Sequence, residues 1–313
     1  MNDKQKKNEE YLKGLLGEEE QNTKKPTKST VTTDFTPPSH EYSVIDINLL
    51  PGGRYYPSGT KISIRASKVA EIQAYSVVDD ENFVDITEKM NELLSRNVIF
   101  QHADGKKGTY RDVKDADRMF LIFMIREMTF QGGNTLTKEV QCQSCNHELT
   151  IPFRATSNNE GPATFELQEP NKEIEKFWKP ELNCYEMVYE KVSWKMGPPT
   201  IGIQEDFYDE IKRNVQDDKK PNVSFMKIMP FLLYDRSSIT PEGMKAKIKE
   251  YVNMNDLTLF NGLNSVVNNM TLGIKGLTMI CGECGEEVHT PLTFPGGAST
   301  LFELANPLGA FAG

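Results

Sequence analysis

Four of the five cysteines in this chain fall into two Cys-x-x-Cys pairs, Cys142 with Cys145 and Cys281 with Cys284. Each pair sits in the same local frame. An apolar approach leads in, a glutamate follows the second cysteine by three positions (Glu148, Glu287), and a proline follows it by seven (Pro152, Pro291). A strand, a tight turn carrying two thiolates and a returning strand make a knuckle, and two knuckles supply four sulfurs in the tetrahedral arrangement that structural zinc takes. The spacing therefore predicts Cys142, Cys145, Cys281 and Cys284 as ligands of one structural Zn2+. Four thiolates leave no coordination position open, so catalysis by the metal is not expected.

Other chemistries of the same residues fit less well. A redox Cys-x-x-Cys normally opens a helix after a strand, whereas 148–153 and 287–294 read as extended and carry prolines. Disulfides need an oxidising compartment, yet no apolar signal stretch follows Met1, and Cys184 would be left odd. His147 and His289 lie inside the knuckles and are alternative ligands to a cysteine. With His40 and His102 they complete the histidines, and none recurs in a pattern with a nucleophile, so no enzymatic activity is expected. Gly52-Gly53 and Gly132-Gly133 lack the lysine and hydroxyl of a phosphate loop and read as turns. Lys106 and Lys107 form a loop tip, by default a solvated one and otherwise a contact for an acidic partner. Asp79, Asp80 and Glu81 mark a helix end without the glycine spacing of a calcium loop.

Residues 146–280 separate the two pairs, where common ribbons have roughly 15 to 20 residues. Joining the knuckles therefore requires an inserted domain. The resulting partition is a disordered charged tail over 1–41, an N-terminal α+β domain over 42–137, knuckles over 138–153 and 276–294, a mainly helical insert over 154–275, and a C-terminal arm over 295–313. The class is α+β, with the metal clamping the insert onto the N-terminal domain.

Local patterns place the elements that must carry the knuckles. In the tail, Tyr11, Leu12, Leu15 and Leu16 stand at helical spacing, either a partner-docking helix or a transient one. Order begins with an extended run over Ser43–Leu50. Turns follow through Pro51, Gly52, Gly53, Pro57 and Gly59, then an alternating strand over Thr60–Arg65, giving a hairpin-like entry. Helices are expected over Ser67–Val77, from an N-cap at Asp85 with Glu88 three residues on, and over Asp115–Phe130. The last is apolar nearly all round, as a domain's buried centre should be, and ends at Gly132-Gly133. In the insert, Cys184–Met196 reads as strand. Helices follow over Gln204–Asn214, Val223–Tyr234, Pro241–Val252 and Asp256–Met270. The apolar C-terminal stretch from Phe294 to Phe311 either packs back on its own domain or inserts into another subunit.

With 313 residues the chain can bury a large core. Its longest apolar run, Met119–Ile125, is far too short for a bilayer, so no membrane role is expected. A net charge of −9 opposes generic attraction to nucleic-acid phosphates and favours protein partners.

The segment Leu50-Pro51-Gly52-Gly53-Arg54-Tyr55-Tyr56-Pro57-Ser58-Gly59, followed by Ile62-Ser63-Ile64-Arg65, resembles the start of the baseplate hub subunits and hub assembly proteins of T-even-like contractile-tailed bacteriophages. The likeness runs on through the helix at Asp115 to Cys142 and Cys145, over about residues 44–153. It implies a structural or assembly role at the centre of the tail baseplate, in the virion and in the host cytoplasm during assembly. Other baseplate and tail subunits would be its partners, with no small-molecule substrate. Two other classes remain: a transient assembly chaperone absent from the mature particle, and a zinc-ribbon accessory of nucleic-acid machinery. Glu148, Glu283, Glu286 and Glu287 beside the knuckles count against phosphate contact.

Overall fold

The computed structural model describes residues 41–130, 136–156, 162–214, 223–233, 240–252, 254, 256–270, 272–294 and 297–302. Strand β1 (Ser43–Val44) pairs antiparallel with β2 (Lys61–Ile64), whose alternation buries Ile62 and Ile64. The extended run expected from Ser43 to Leu50 is cut short. The Asp46 side chain accepts from the Asn48 amide and turns Ile47–Leu49 into a 3-10 helix, the local bond by which Asp competes with strand. Helix α1 (Val69–Tyr75) lies within its expected bounds. Helix α2 (Phe83–Asn97) starts earlier than expected, because Asn82 rather than Asp85 is its cap and accepts from the amides of Val84 and Asp85. Met90, Leu93 and Leu94 line its buried face. Strands β3 (Val98–Gln101) and β4 (Lys107–Gly108) complete a sheet of order β1-β2-β3-β4.

Helix α3 (Arg118–Thr129) is the buried centre. Phe120, Leu121, Ile122, Phe123, Ile125 and Arg126 are all enclosed, and its expected first turn, Asp115–Asp117, is a 3-10 helix. Beyond it, β5 (Thr137–Gln141) and β6 (Glu148–Pro152) form the first knuckle hairpin. The insert opens with β7 (Phe165–Leu167) and a sheet of β8 (Trp178–Lys179), β9 (Cys184–Tyr189) and β10 (Val192–Met196). The span read as a single strand, Cys184–Met196, is thus a hairpin. Its turn is Glu190-Lys191, both at positive φ (47° and 68°), the geometry of two-residue hairpin turns even without the usual Asn or Gly. Four helices follow: α4 (Ile201–Asn214), α5 (Val223–Leu232), α6 (Pro241–Val252) and α7 (Leu257–Asn269). Strand β11 (Ile274–Ile280) pairs with β7 on one side and with β12 (Glu287–Thr290) on the other, forming the second knuckle. The chain is mixed α and β, as expected. No helix among the described residues is long and apolar enough to cross a membrane.

Two hydrophobic cores result. One surrounds α3 and both knuckles; the other fills the insert around Tyr185, Phe207 and Leu263. The turn-rich segment after Leu50 joins them. Tyr56 enters the first core, where its hydroxyl donates to buried Asp117 at 2.7 Å and accepts from the Lys114 amide at 2.7 Å. Its neighbour Tyr55 enters the second and meets the Tyr185 hydroxyl at 3.1 Å. Arg54 makes a two-pronged pair with Glu175, both contacts at 2.9 Å, and lies 4.2 Å over the Trp178 ring. Gly52 donates its N–H to Asp117 at 2.6 Å, and a Cβ there would stand 2.8 Å from that carboxylate. At Gly53 a Cβ would collide with the Ile47 carbonyl, so both glycines are demanded by close approach. A second seam, Asp115 N–H to Pro199 and Ile201 N–H to Val113, zips the start of the central helix to the start of α4.

The described residues belong to one compact unit. The tail helix expected near Tyr11 and the stop at Gly132-Gly133 lie outside the described residues. The C-terminal stretch packs back on its own domain as far as it is described. Ala298–Phe302 is a 3-10 turn with Leu301 and Phe302 buried in the first core, the Leu301 carbonyl accepts from Arg126, and Ser299 binds Asp80. The acidic residue at the helix end is therefore a latch.

Burial pushes Asp117 up to about 6, against partial relief from the Tyr56 hydroxyl, the Gly52 amide and Lys114. Its folded value lies above the ordinary one near 4, so the native state holds this proton more tightly. Stability should then fall as pH rises from about 4 to about 6, and Asp117→Asn should flatten that part of the urea-unfolding profile. Tyr56→Phe removes a donor from the carboxylate and the acceptor of the Lys114 N–H; a loss of about 2–3 kcal/mol is expected. An unchanged midpoint in Tyr56→Phe would contradict the joint.

Candidate metal centre

The knuckles are built alike at the level of single hydrogen bonds. In the first, the Cys142 amide donates to the His147 carbonyl and the Asn146 amide to the Cys142 carbonyl, both at 2.9 Å. In the second, the Cys281 amide donates to Glu286 at 2.8 Å and the Gly285 amide to Cys281 at 2.9 Å. The residue after each second cysteine adopts positive φ, 60° at Asn146 and 75° at Gly285. Asn and Gly are the residues that reach this conformation most readily. The turn thereby reverses the chain so that both sulfurs of a pair face one point. Cys142 and Cys281 are buried, while Cys145 and Cys284 lie at the surface.

All four predicted ligands converge. The Cys142 and Cys284 sulfurs are 3.7 Å apart, as are those of Cys145 and Cys281, and all four lie within 4.8 Å of one another. A tetrahedron with metal–sulfur bonds of about 2.3 Å has edges of about 3.8 Å. Disulfide sulfurs would stand at about 2.0 Å, so all four are free thiols held at ligand spacing. Each pair is flanked by strands and not by a helix N-terminus, the setting a redox pair would use. A cluster of this kind can hold a metal ion.

The electrostatics point the same way. The amides of Cys145 and Ser144 face Cys142 and pull its thiol down to about 7. At Cys145 the His147 amide pulls down, but burial and the sulfurs of Cys284, Cys142 and Cys281 prevail and push it up to about 12. At Cys284 the Glu286 amide and the Cys145 thiol pull down, but burial and the sulfurs of Cys142 and Cys281 prevail and push it up. Four sulfurs this close cannot all ionise without a cation between them.

Neither histidine takes a cysteine's place. His289 Nδ1 sits 3.1 Å from Glu166, which Lys275 and His289 together hold below the usual carboxylate range. His147 contributes its backbone carbonyl and amide to the first knuckle. His102 packs its ring against Phe100 and faces Asp112.

What positions the two hairpins was not legible in the motif itself. Phe153, just past the first knuckle, and Phe294, just past the second, pack on Phe123 of α3 with centroids 5.9 Å and 5.8 Å away, and Phe165 of β7 completes the cluster at 4.7 Å. Lys138 of β5 ties the hairpins directly, donating to the Pro291 carbonyl at 2.7 Å and to Thr293 at 2.9 Å. The aromatic that follows each knuckle's proline, Phe153 and Phe294, was the available signal. The chain matches no family model, no curated protein and no solved structure.

If the two turns are equivalent, Asn146→Gly should be tolerated to within about 0.5 kcal/mol. Asn146→Val, forcing a β-branched residue to positive φ, should cost about 1–2 kcal/mol and accelerate metal release to a chelator. Equal melting and release rates for the two variants would show that the first turn does not set the sulfur geometry.

Proposed function

We propose that this protein is a structural or assembly component of a contractile phage tail baseplate hub, acting through contacts with other baseplate and tail subunits and stapled by a structural zinc ion. The observation that carries the zinc staple is the closed four-thiol cluster at tetrahedral edge spacing. Four sulfurs in this geometry suit zinc or an iron–sulfur centre, and the pairing of two knuckles favours zinc. A fully occupied sphere leaves no place for substrate, so the metal serves folding and not turnover.

The hub assignment is supported by the likeness of residues 44–153 to that family. Within its opening motif, Leu50 to Gly59, residues Gly52 to Tyr56 lock the two cores together, so those residue types have a physical reason to occur together. Glu148, Glu283, Glu286 and Glu287 are exposed around the knuckles, which makes a phosphate-binding ribbon the weaker reading.

Purified protein should contain one zinc per chain by elemental analysis; iron, or half an equivalent in a dimer, would overturn the staple as described. The double substitution Cys281→Ser with Cys284→Ser should release the metal. It should lower stability by about 2–4 kcal/mol, less than the ~10 kcal/mol of isolated zinc-dependent units, because the first core already holds both knuckles. Acidification should expel the metal as the thiolates protonate, so the stability it confers is lost as pH falls. For the hub role, the protein should be found in isolated baseplates or their assembly intermediates. Absence from both would remove it.

A further inference from the structure

The two knuckles share the backbone hydrogen bonds of their turns, so the sulfur geometry does not require the exposed side chains at which they differ. Three corresponding positions differ in kind. The residue before the first cysteine, which pairs across the hairpin with a glutamate, is Gln141 in the first knuckle and Ile280 in the second. Ser144 and His147 are matched in the second knuckle by Glu283 and Glu286. All of these side chains are exposed, Ile280 by 67%. Glu287 binds Thr278 within its own hairpin at 2.9 Å, whereas Glu283 and Glu286 pair with no cation among the described residues. The second knuckle therefore ends in a bare isoleucine beside uncompensated carboxylates, where the first ends in neutral polar groups and one acid.

A surface of opposite character lies on the N-terminal sheet. Its inner face puts Ile62, Ile64, Val98 and Phe100 into the first core. On the outer face the register sets Val44, Ser63 and Ile99 side by side in one row, and Lys61, Gln101 and Lys107 in the next. Antiparallel sheets commonly leave one face to water, and polar residues then fill it. Here Val44 is 65% exposed and Ile99 42%, both cross-strand neighbours of Ser63. Lys61 and Lys107 are exposed and pair with no carboxylate among the described residues. Neither row holds an acid, although the chain carries a net charge of −9, and Asp104 at the adjoining loop tip is already held by Lys106 at 2.7 Å. An apolar strip beside uncompensated cations is left open.

We propose that the second knuckle of one copy of this chain docks on the outer sheet face of another. Ile280 covers Val44 and Ile99, and Glu283 and Glu286 meet Lys61 and Lys107. The occupant is a second copy because both halves of the match, apolar to apolar and acid to base, stand exposed on the same chain. The two faces are different surfaces, so the contact is head to tail: it builds a ring where the rotation closes and a chain where it does not. One hairpin tip on one sheet face is smaller than a standard interface, so the association is weak and depends on concentration. The inference goes beyond the hub reading and needs neither that role nor the identity of the metal.

Sedimentation equilibrium on the full chain tests this. The average mass should rise with protein concentration up to about 100 µM, the range in which a sub-standard interface shows itself, and fall again as salt is added. Two sets of substitutions separate the faces. Lys61→Glu with Lys107→Glu reverses the charge of the sheet. Ile280→Gln with Glu283→Ser and Glu286→His gives the second knuckle the residues that the first one carries, so its turn is preserved. Each set should weaken self-association about tenfold or more, with melting curves showing that both variants fold. Mixed in equal amounts, the two variants should form a one-to-one complex that grows no further, because each retains the face the other lacks. A native chain that stays monomeric, association indifferent to either set, or no complex on mixing would each overturn the proposal. Zinc per chain and presence in baseplates are read separately, so the metal staple and the hub role stand or fall on their own.

Discussion

Helix α3 is the constraint on which the rest of this structure depends. Enclosed on nearly every side, it gives the N-terminal sheet, both knuckles and the C-terminal turn a common core. The buried carboxylate just before it, Asp117, receives Gly52 and Tyr56 and so fixes the entry segment. The aromatic ring at its middle, Phe123, gathers Phe153, Phe165 and Phe294 from both sides of the inserted region. Near its end Arg126 holds the returning chain at Leu301. Aromatic packing of this kind combines large buried area with preferred ring geometry, so both knuckles are placed by one rigid surface.

That arrangement explains how thiols so far apart in sequence meet. Closing a long loop costs entropy that rises only slowly with its length, and here much of the closure is achieved without the thiols. Strand β7 pairs with β11, Lys138 bridges the hairpins, and the seam from Val113 to Ile201 brings the insert back before the second knuckle is reached. The four sulfurs then complete an arrangement already imposed by the two cores. A metal at this point would tie together the outer ends of the two hairpins.

Polar groups do the joining throughout. The Tyr55 contact with Tyr185, the Arg54 pair with Glu175 and the Glu205 contacts to Asn91, Tyr110 and Arg111 all cross between the N-terminal region and the insert. Apolar packing fills each core, but directional bonds decide how the cores are related, since hydrogen bonds have a geometry that the hydrophobic effect lacks.

The residues alone determined the four-cysteine cluster, the buried central helix and the helices of the insert. Paired thiols in matching frames, an apolar run too long for a strand, and capped amphipathic stretches each carry their meaning within a few neighbours. Where two local signals competed, the sequence misled. Asn82 took the cap from Asp85, Asp46 bent an apparent strand, and Glu190-Lys191 made a turn without turn residues because the strands on either side pair so favourably. Only the tertiary structure decided that Tyr55 and Tyr56 part into different cores, that the aromatics after each knuckle share one helix, that Leu301 and Phe302 pack back on their own domain, and that α2 and α4, distant in sequence, line one cleft. Each of those depends on residues far apart in the chain meeting in three dimensions, and no local pattern encodes who the distant partner will be.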